Sequence, residues 1–304
     1  AGRNPTNPSL SAGSVAPGNR IVYRVAVSNY SLLPIADLQV TDPLPVSAGQ
    51  QVTFVSSIAP TVSGTGCSGP TLPVGGTAAA PVFSGIGLPA GSNGNPAVCT
   101  LEFTVQVPDT WPAGVAITNT IPAGDIVFNG GLSSAQGPAV TDTRPYIDRL
   151  TAAKAVSPTT VFQGDTTLVT VTLTNNSFNP MTAAQFNDAP LFGASNSVRV
   201  ANPANPATTC GGTPGYTFTP GGASFAAAGL TVPARGSCSV SWRVVGINPG
   251  GPYANTLAAA NVGGTVDNGA GPVTFNASNS PSASLTVNSV LLVGKSFSPT
   301  SVAG

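Results

Sequence analysis

The sequence predicts an all-β fold, arranged as tandem immunoglobulin-like β-sandwiches. The first observation is Leu168–Ser177, LVTVTLTNNS, which puts Val169, Val171 and Leu173 on one face and Thr170, Thr172 and Thr174 on the other. Period-two alternation of β-branched residues marks a half-buried strand. The second is that the pattern returns 146 positions earlier as Val22–Ser31, VYRVAVSNYS. Tyr23, Val25 and Val27 then match Val169, Val171 and Leu173, while Asn29 matches Asn175, Ser31 matches Ser177 and Asp42 matches Asp188. The third is that each copy reads as seven or more short strands with frequent turn signals, the pattern of a sandwich of immunoglobulin type.

Composition narrows the function. The 304 residues suffice for two domains of ordinary size, and 41% hydrophobic content permits a core in each. Only 7% of residues are charged, where about a quarter is usual. Ten Lys and Arg balance ten Asp and Glu, so no basic surface for nucleic acid is expected. A neutral surface of Thr, Ser and Asn favours association, including self-association into a filament. Neither a signal peptide nor a membrane span is recognisable, and no membrane insertion is expected. A chain opening AGRNPTNPSL is read as a mature product or a piece of a longer protein.

Taken in order, residues 1–13 form an extended Pro/Ser lead-in, and Ser14–Gly18 turns into the first strand. Leu38–Pro45 (LQVTDPLP) and Ala184–Leu191 (AQFNDAPL) are strands ending in Asp/Pro turns. Gly- and Pro-rich excursions follow, each holding one cysteine. A second cysteine then opens the strongest late strand of each copy, Cys99–Val107 and Cys238–Val245, with Phe103 and Trp242 equivalent and expected in the core. The four cysteines thus fall two per copy, which suggests the disulfides Cys67–Cys99 and Cys210–Cys238 and an oxidising compartment. Each would stabilise its copy by roughly 3–4 kcal/mol in the chain-entropy model. The entry motif of the second copy, Lys154–Val161 (KAVSPTTV), recurs 141 positions later in Lys295–Gly304 (KSFSPTSVAG). The expected domains are therefore 1–151, 152–292, and a 293–304 entry strand of a third repeat or donor strand. Leu150, Lys154, Val293 and Lys295 mark the inter-domain joints. No flexible linker intervenes, so a fairly stiff rod is expected.

The K-x-x-S-P-x-x-V entry, the strand ending in T-N-x-S, the T-D-P-L-P turn, ANPANPATTCGG (Ala201–Gly212), the G-S-C-S-V strand and the N-T-I-P-A-G loop occur together. In this the chain resembles the Ig-like conserved repeats of unknown function found in tandem in very long bacterial surface and secreted proteins. The resemblance covers nearly the whole chain and is clearest over residues 154–292. The first copy departs from it, with Pro8 where the second has Lys154. It implies an extracellular, non-catalytic part of a large structural or adhesive protein.

The chain offers no candidate catalytic residue. Histidine is absent, which removes the common nucleophile–base pairs. Asp42 and Asp188 are expected to bond their own turn backbone. No metal is expected. Zinc lacks histidine and any CxxC pair, and calcium needs six to eight oxygens where Asp125, Asp142 and Asp148 have no acidic counterparts in the other copy. No cofactor is implied. In other bacterial surface Ig domains a lysine is joined covalently to an asparagine. Here Pro8 denies the first copy that nucleophile, so no such crosslink is expected, and Asn119 and Asn255 are expected to bond loop backbone. Tyr23, Phe103, Trp242 and Phe297 are expected in the core. Trp111, between Thr110 and Pro112, is the best candidate for an exposed aromatic and for ligand contact. The sequence thus points to a structural component of an extracellular bacterial fibre, stalk or filament that self-associates or continues into further repeats. An adhesin or glycan-binding module is the alternative.

Overall fold

The structure, a computed structural model, describes residues 13–69, 75–128, 132–133, 139–192, 196–269, 271–291 and 293–295. Among these the regular structure is β-strand, apart from two single-turn 3-10 helices. The chain divides into two compact units. One comprises Ala1–Arg149 with Asn176–Asn179 and Asp267–Gly271, and the other holds Leu150–Asn175, Pro180–Val266 and Pro272–Gly304.

In the first unit β1 (Arg20–Asn29), β2 (Ile35–Thr41), β3 (Pro81–Leu88), β4 (Ala97–Gln106), β5 (Ile117–Ile121), β6 (Ile126–Phe128) and β7 (Val140–Arg144) carry the fold. Antiparallel β1 and β4 pair Tyr23 with Phe103, Val25 with Leu101 and Val27 with Cys99. The facing sheet runs β6–β2–β3, and β5 pairs with β7. Phe83 and Phe103 sit ring to ring at the centre, 4.6 Å apart.

The second unit repeats this frame, preceded among the described residues by two further strands. Its elements are β8 (Leu150–Ser157), β9 (Thr160–Phe162), β10 (Thr166–Asn175), β11 (Met181–Asp188), β12 (Phe225–Val232), β13 (Gly236–Gly246), β14 (Gly250–Thr256), β15 (Val262–Asp267) and β16 (Ser282–Asn288). The order β8–β10–β13 places β10 between two partners. Val169, Val171 and Leu173 of β10 oppose Trp242, Val240 and Cys238 of β13, the register of β1 on β4. The Trp242 indole stacks on Phe225 at 4.2 Å. The facing sheet runs β12–β11–β15, while β9 joins β16 in parallel and β16 pairs with β14.

The repeat extends to local devices. Both β2 and β11 bulge at the same place, with Asp37 (φ 56°) and Ala183 (φ 48°) in the left-handed region. The T-N-x-S asparagines staple loops at the strand end. Asn29 donates to the Leu33 and Pro89 carbonyls at 2.9 and 2.8 Å and accepts from the Ser31 amide at 2.9 Å. Asn29→Ala removes these three hydrogen bonds, which are partly buried, and is expected to cost about 1–2 kcal/mol. A shift in the denaturant midpoint of the full chain checks this, and an unmoved midpoint would show that the staple contributes nothing.

Candidate functional site

The period of two decides where the lysine goes. In β8, LTAAKAVS, Leu150, Ala152, Lys154 and Val156 share one parity and all four are buried. A lysine is thereby carried into the core on the same face as three apolar residues. It is met by Asp188, the last residue of β11, whose parity is that of the buried Ala184 and Phe186. Both side chains are 0% exposed, and Lys154 Nζ lies 2.5 Å from Asp188 Oδ2. Asn255, the buried residue of β14, donates from Nδ2 to the same Oδ2 at 3.1 Å. The Phe192 ring stands 5.8 Å from Nζ and closes the site with an apolar wall.

Burial pushes the Lys154 ammonium down from its ordinary value, against the pull of Asp188, and pushes the Asp188 carboxyl up, against Lys154 and Asn255. Both shifts favour the neutral amine beside the neutral acid. Two oxygens, Asp188 Oδ1 and Asn255 Oδ1, are buried without a hydrogen-bond partner. Two orphaned acceptors in one cluster are satisfied together if a proton sits on Asp188 and is given to the asparagine carbonyl.

The first unit holds the same pair without the amine. Buried Asp42 accepts from Asn119 Nδ2 through both oxygens, each at 2.9 Å. The position 146 residues before Lys154 is Pro8, which lies outside the described residues. Among the described residues β1 pairs with β4 alone, and its other edge, where β10 has β8, borders a cavity of about 110 Å³. Tyr23, Val25, Asp42, Asn119, Ile121 and Asp142 line it. Val25 and Val27 are only half-buried where their counterparts Val171 and Leu173 are 0% exposed. Tyr23 Oη and Asn119 Oδ1 are buried there with no hydrogen-bond partner.

Several expectations are corrected. Lys154, assigned to a joint, is an interior residue of the second unit, because strand parity turns it inward. Asp42 and Asp188 do not act as turn caps but accept from side chains across the sandwich, and Asn119 and Asn255 bond those carboxylates and not loop backbone. Trp111 is 4% exposed: it packs in the first unit's core, with Nε1 donating to the Val115 carbonyl at 2.9 Å. An indole so placed offers no surface for a sugar. Of the remaining residues, Leu150 is buried in the second unit, Val293 is 85% exposed and Lys295 is exposed. Cys67 is bonded to Cys99 and Cys210 to Cys238. Phe297 and the rest of 296–304 lie outside the described residues. Among the described residues no group of His, Cys, Asp or Glu is gathered as a metal site, and no helix is long and apolar enough to cross a membrane.

Comparison with known proteins adds a family match for the second unit. Residues 151–287 match a domain of unknown function, DUF7933. No curated protein matches the chain. Among solved structures, the type II cohesin dyad from the adaptor ScaA scaffoldin of Acetivibrio cellulolyticus is 12% identical, over 82% of this chain and 86% of that one, with a TM-score of 0.27. The major pilin subunit BcpA of Bacillus cereus is 13% identical over 91% and 66%, at 0.32. The collagen adhesin of S. aureus is 10% identical over 90% of each chain, at 0.25. Scores at that level transfer no function to this chain.

The Asp42 carboxyl is pushed up to about 6, chiefly by burial, with the Asn119 hydrogen bonds opposing and Asp125 adding. The folded chain therefore holds this proton more tightly than the unfolded chain does. The resulting stabilisation is complete below the ordinary carboxyl value of 3.8 and is lost as pH rises through about 6. Across that window Asp42→Asn is expected to remove on the order of 3 kcal/mol of pH dependence. Equilibrium unfolding of the monomeric chain between these pH values measures it. An identical slope in wild type and variant would contradict it.

Proposed function

We propose that this chain is a non-catalytic structural component of an extracellular bacterial fibre, stalk or surface filament. In this reading tandem Ig-like units are joined by strand addition between copies. The observation that carries it is the edge of β1, which no strand covers among the described residues. The second unit covers the equivalent edge with β8, whose sequence is LTAAKAVS followed by PTTV. The chain carries that entry motif once more, as KSFSPTSV from Lys295. Residues 3–11 match the edge strand β8 by position but hold prolines at 5 and 8, which have opposite parity, so one of them falls where an edge strand donates to its neighbour. The 293–304 segment of a second copy is the better strand for this edge, by main-chain pairing of the kind used in β-strand addition. It would bring a cation to the lysine-free Asp42. Two disulfides support an oxidising, extracellular setting. A charge-poor surface supports lateral packing. The alternative, an adhesin or glycan-binding module, loses Trp111 as its ligand contact because that ring lies in the core, and it keeps the loops that differ between the copies, around residues 67–98 and 205–237.

Electron microscopy of the full chain and of the chain lacking residues 289–304 tests this reading. Filaments are expected from the first and separate particles from the second. Filaments that persist without those residues would overturn it.

A further inference from the structure

We propose that Lys154 and Asn255 join through an amide bond that the folded second unit forms on itself, with Asp188 transferring the protons. The partners converge on one atom: Lys154 Nζ and Asn255 Nδ2 lie 2.5 and 3.1 Å from Asp188 Oδ2. All three side chains are buried, so water does not compete for the amine or the amide carbon. The neutral amine is the nucleophile, and a desolvated lysine next to a proton acceptor is the activated form. Its nitrogen attacks Asn255 Cγ, and the Nζ–Cγ bond forms as the Cγ–Nδ2 bond breaks. Protonated Asp188 gives its proton to the Asn255 carbonyl oxygen as it takes one from the attacking amine, and as the carbonyl re-forms a proton passes through Asp188 to the departing nitrogen, which leaves as ammonia. No oxidant, metal or cofactor enters the balance. The orphaned Oδ1 atoms of Asp188 and Asn255 fit this route, because a protonated Asp188 polarises the amide carbonyl at the moment of attack.

The experiment is peptide mapping of the full chain after reduction and alkylation of the cysteines. The expected result is a peptide containing Lys154 joined to one containing Asn255, lighter than the pair by one ammonia, about 17 Da. Asp188→Asn keeps the shape and hydrogen bonds but not the proton transfer, and should return the two peptides separately. Separate peptides at full mass from the wild-type chain would overturn the proposal whether or not the variant folds.

A second inference rests on the strand-addition reading and on a different observation, the cavity beside β1. In the second unit Lys154 lies opposite Val171, and the counterpart of Val171 is Val25, which lines that cavity. A strand bearing Lys295 in the register of β8 would thus set its amine among Asp42, Asn119 and the unpartnered Tyr23 hydroxyl. We infer that Lys295 of one copy bonds to Asn119 of the next by the same exchange, with Asp42 carrying the protons and ammonia leaving. Filaments boiled in detergent with reductant should run as a ladder of multiples of the chain. Lys295→Arg keeps the charge but removes the nucleophile. Its filaments should form and then fall to single chains. Wild-type filaments that fall to single chains would overturn the crosslink while leaving strand addition standing. Filaments that survive loss of residues 289–304 would overturn both.

Discussion

The desolvation of one carboxylate, Asp188, organises the second unit. Taking an acid and an amine out of water costs several kcal/mol for each ion, and their attraction repays this only in part. Removing either partner of such a pair costs about 3–5 kcal/mol, because the survivor is left charged in an apolar core. Proton transfer from Lys154 to Asp188 relieves that cost by making both neutral, and it also makes the amine reactive. The cluster is therefore strained as a salt bridge and comfortable as an amide. Ammonia released in the proposed exchange would be diluted into bulk water, which favours the amide.

The two copies share a frame, and their buried Asp–Asn sites differ in the lysine. Asp42 and Asn119 repeat Asp188 and Asn255, with the same alternation around them, yet no lysine stands 146 residues before Lys154. An acid held by its neighbour amide at the rim of a cavity, next to a strand edge that no described strand covers, is an incomplete version of the finished site. Only two lysines occur in the chain. One completes the second unit, and the other lies in a copy of the same motif. In the second unit an amide from Lys154 to Asn255 would close a loop of roughly a hundred residues, worth about 5 kcal/mol by the chain-entropy estimate for a crosslink of that length. For a fibre under tension the larger gain is mechanical: load entering at β8 would leave through β14 without unravelling the strands between them.

The fold was legible because sandwiches repeat their alternation and turns in linear order. Val169, Val171 and Leu173, with their counterparts, gave the β1–β4 and β10–β13 frame without any three-dimensional information, and cysteines at matching places gave their partners. The site was harder to see. Asp188 and Asn255 are distant in sequence, so their meeting depends on which face of which strand they occupy. That signal was present, since Lys154 shares parity with Leu150, Ala152 and Val156, but its place at the start of a recurring entry motif marked it as a joint residue. Trp111 misled for the opposite reason. Its flanking Thr and Pro mark a turn, and turns are mostly exposed, but an aromatic at a turn can also fold back and cap the core, as this one does with its N–H given to Val115.

The most direct measurement is electron cryo-microscopy of the assembled chain at a resolution that identifies side chains beside β1. The account predicts an antiparallel strand there, read as Gly294-Lys295-Ser296-Phe297 of a neighbouring copy, with the lysine nitrogen at Asp42. An edge left open, or covered by residues 3–11 of the same chain, would contradict it.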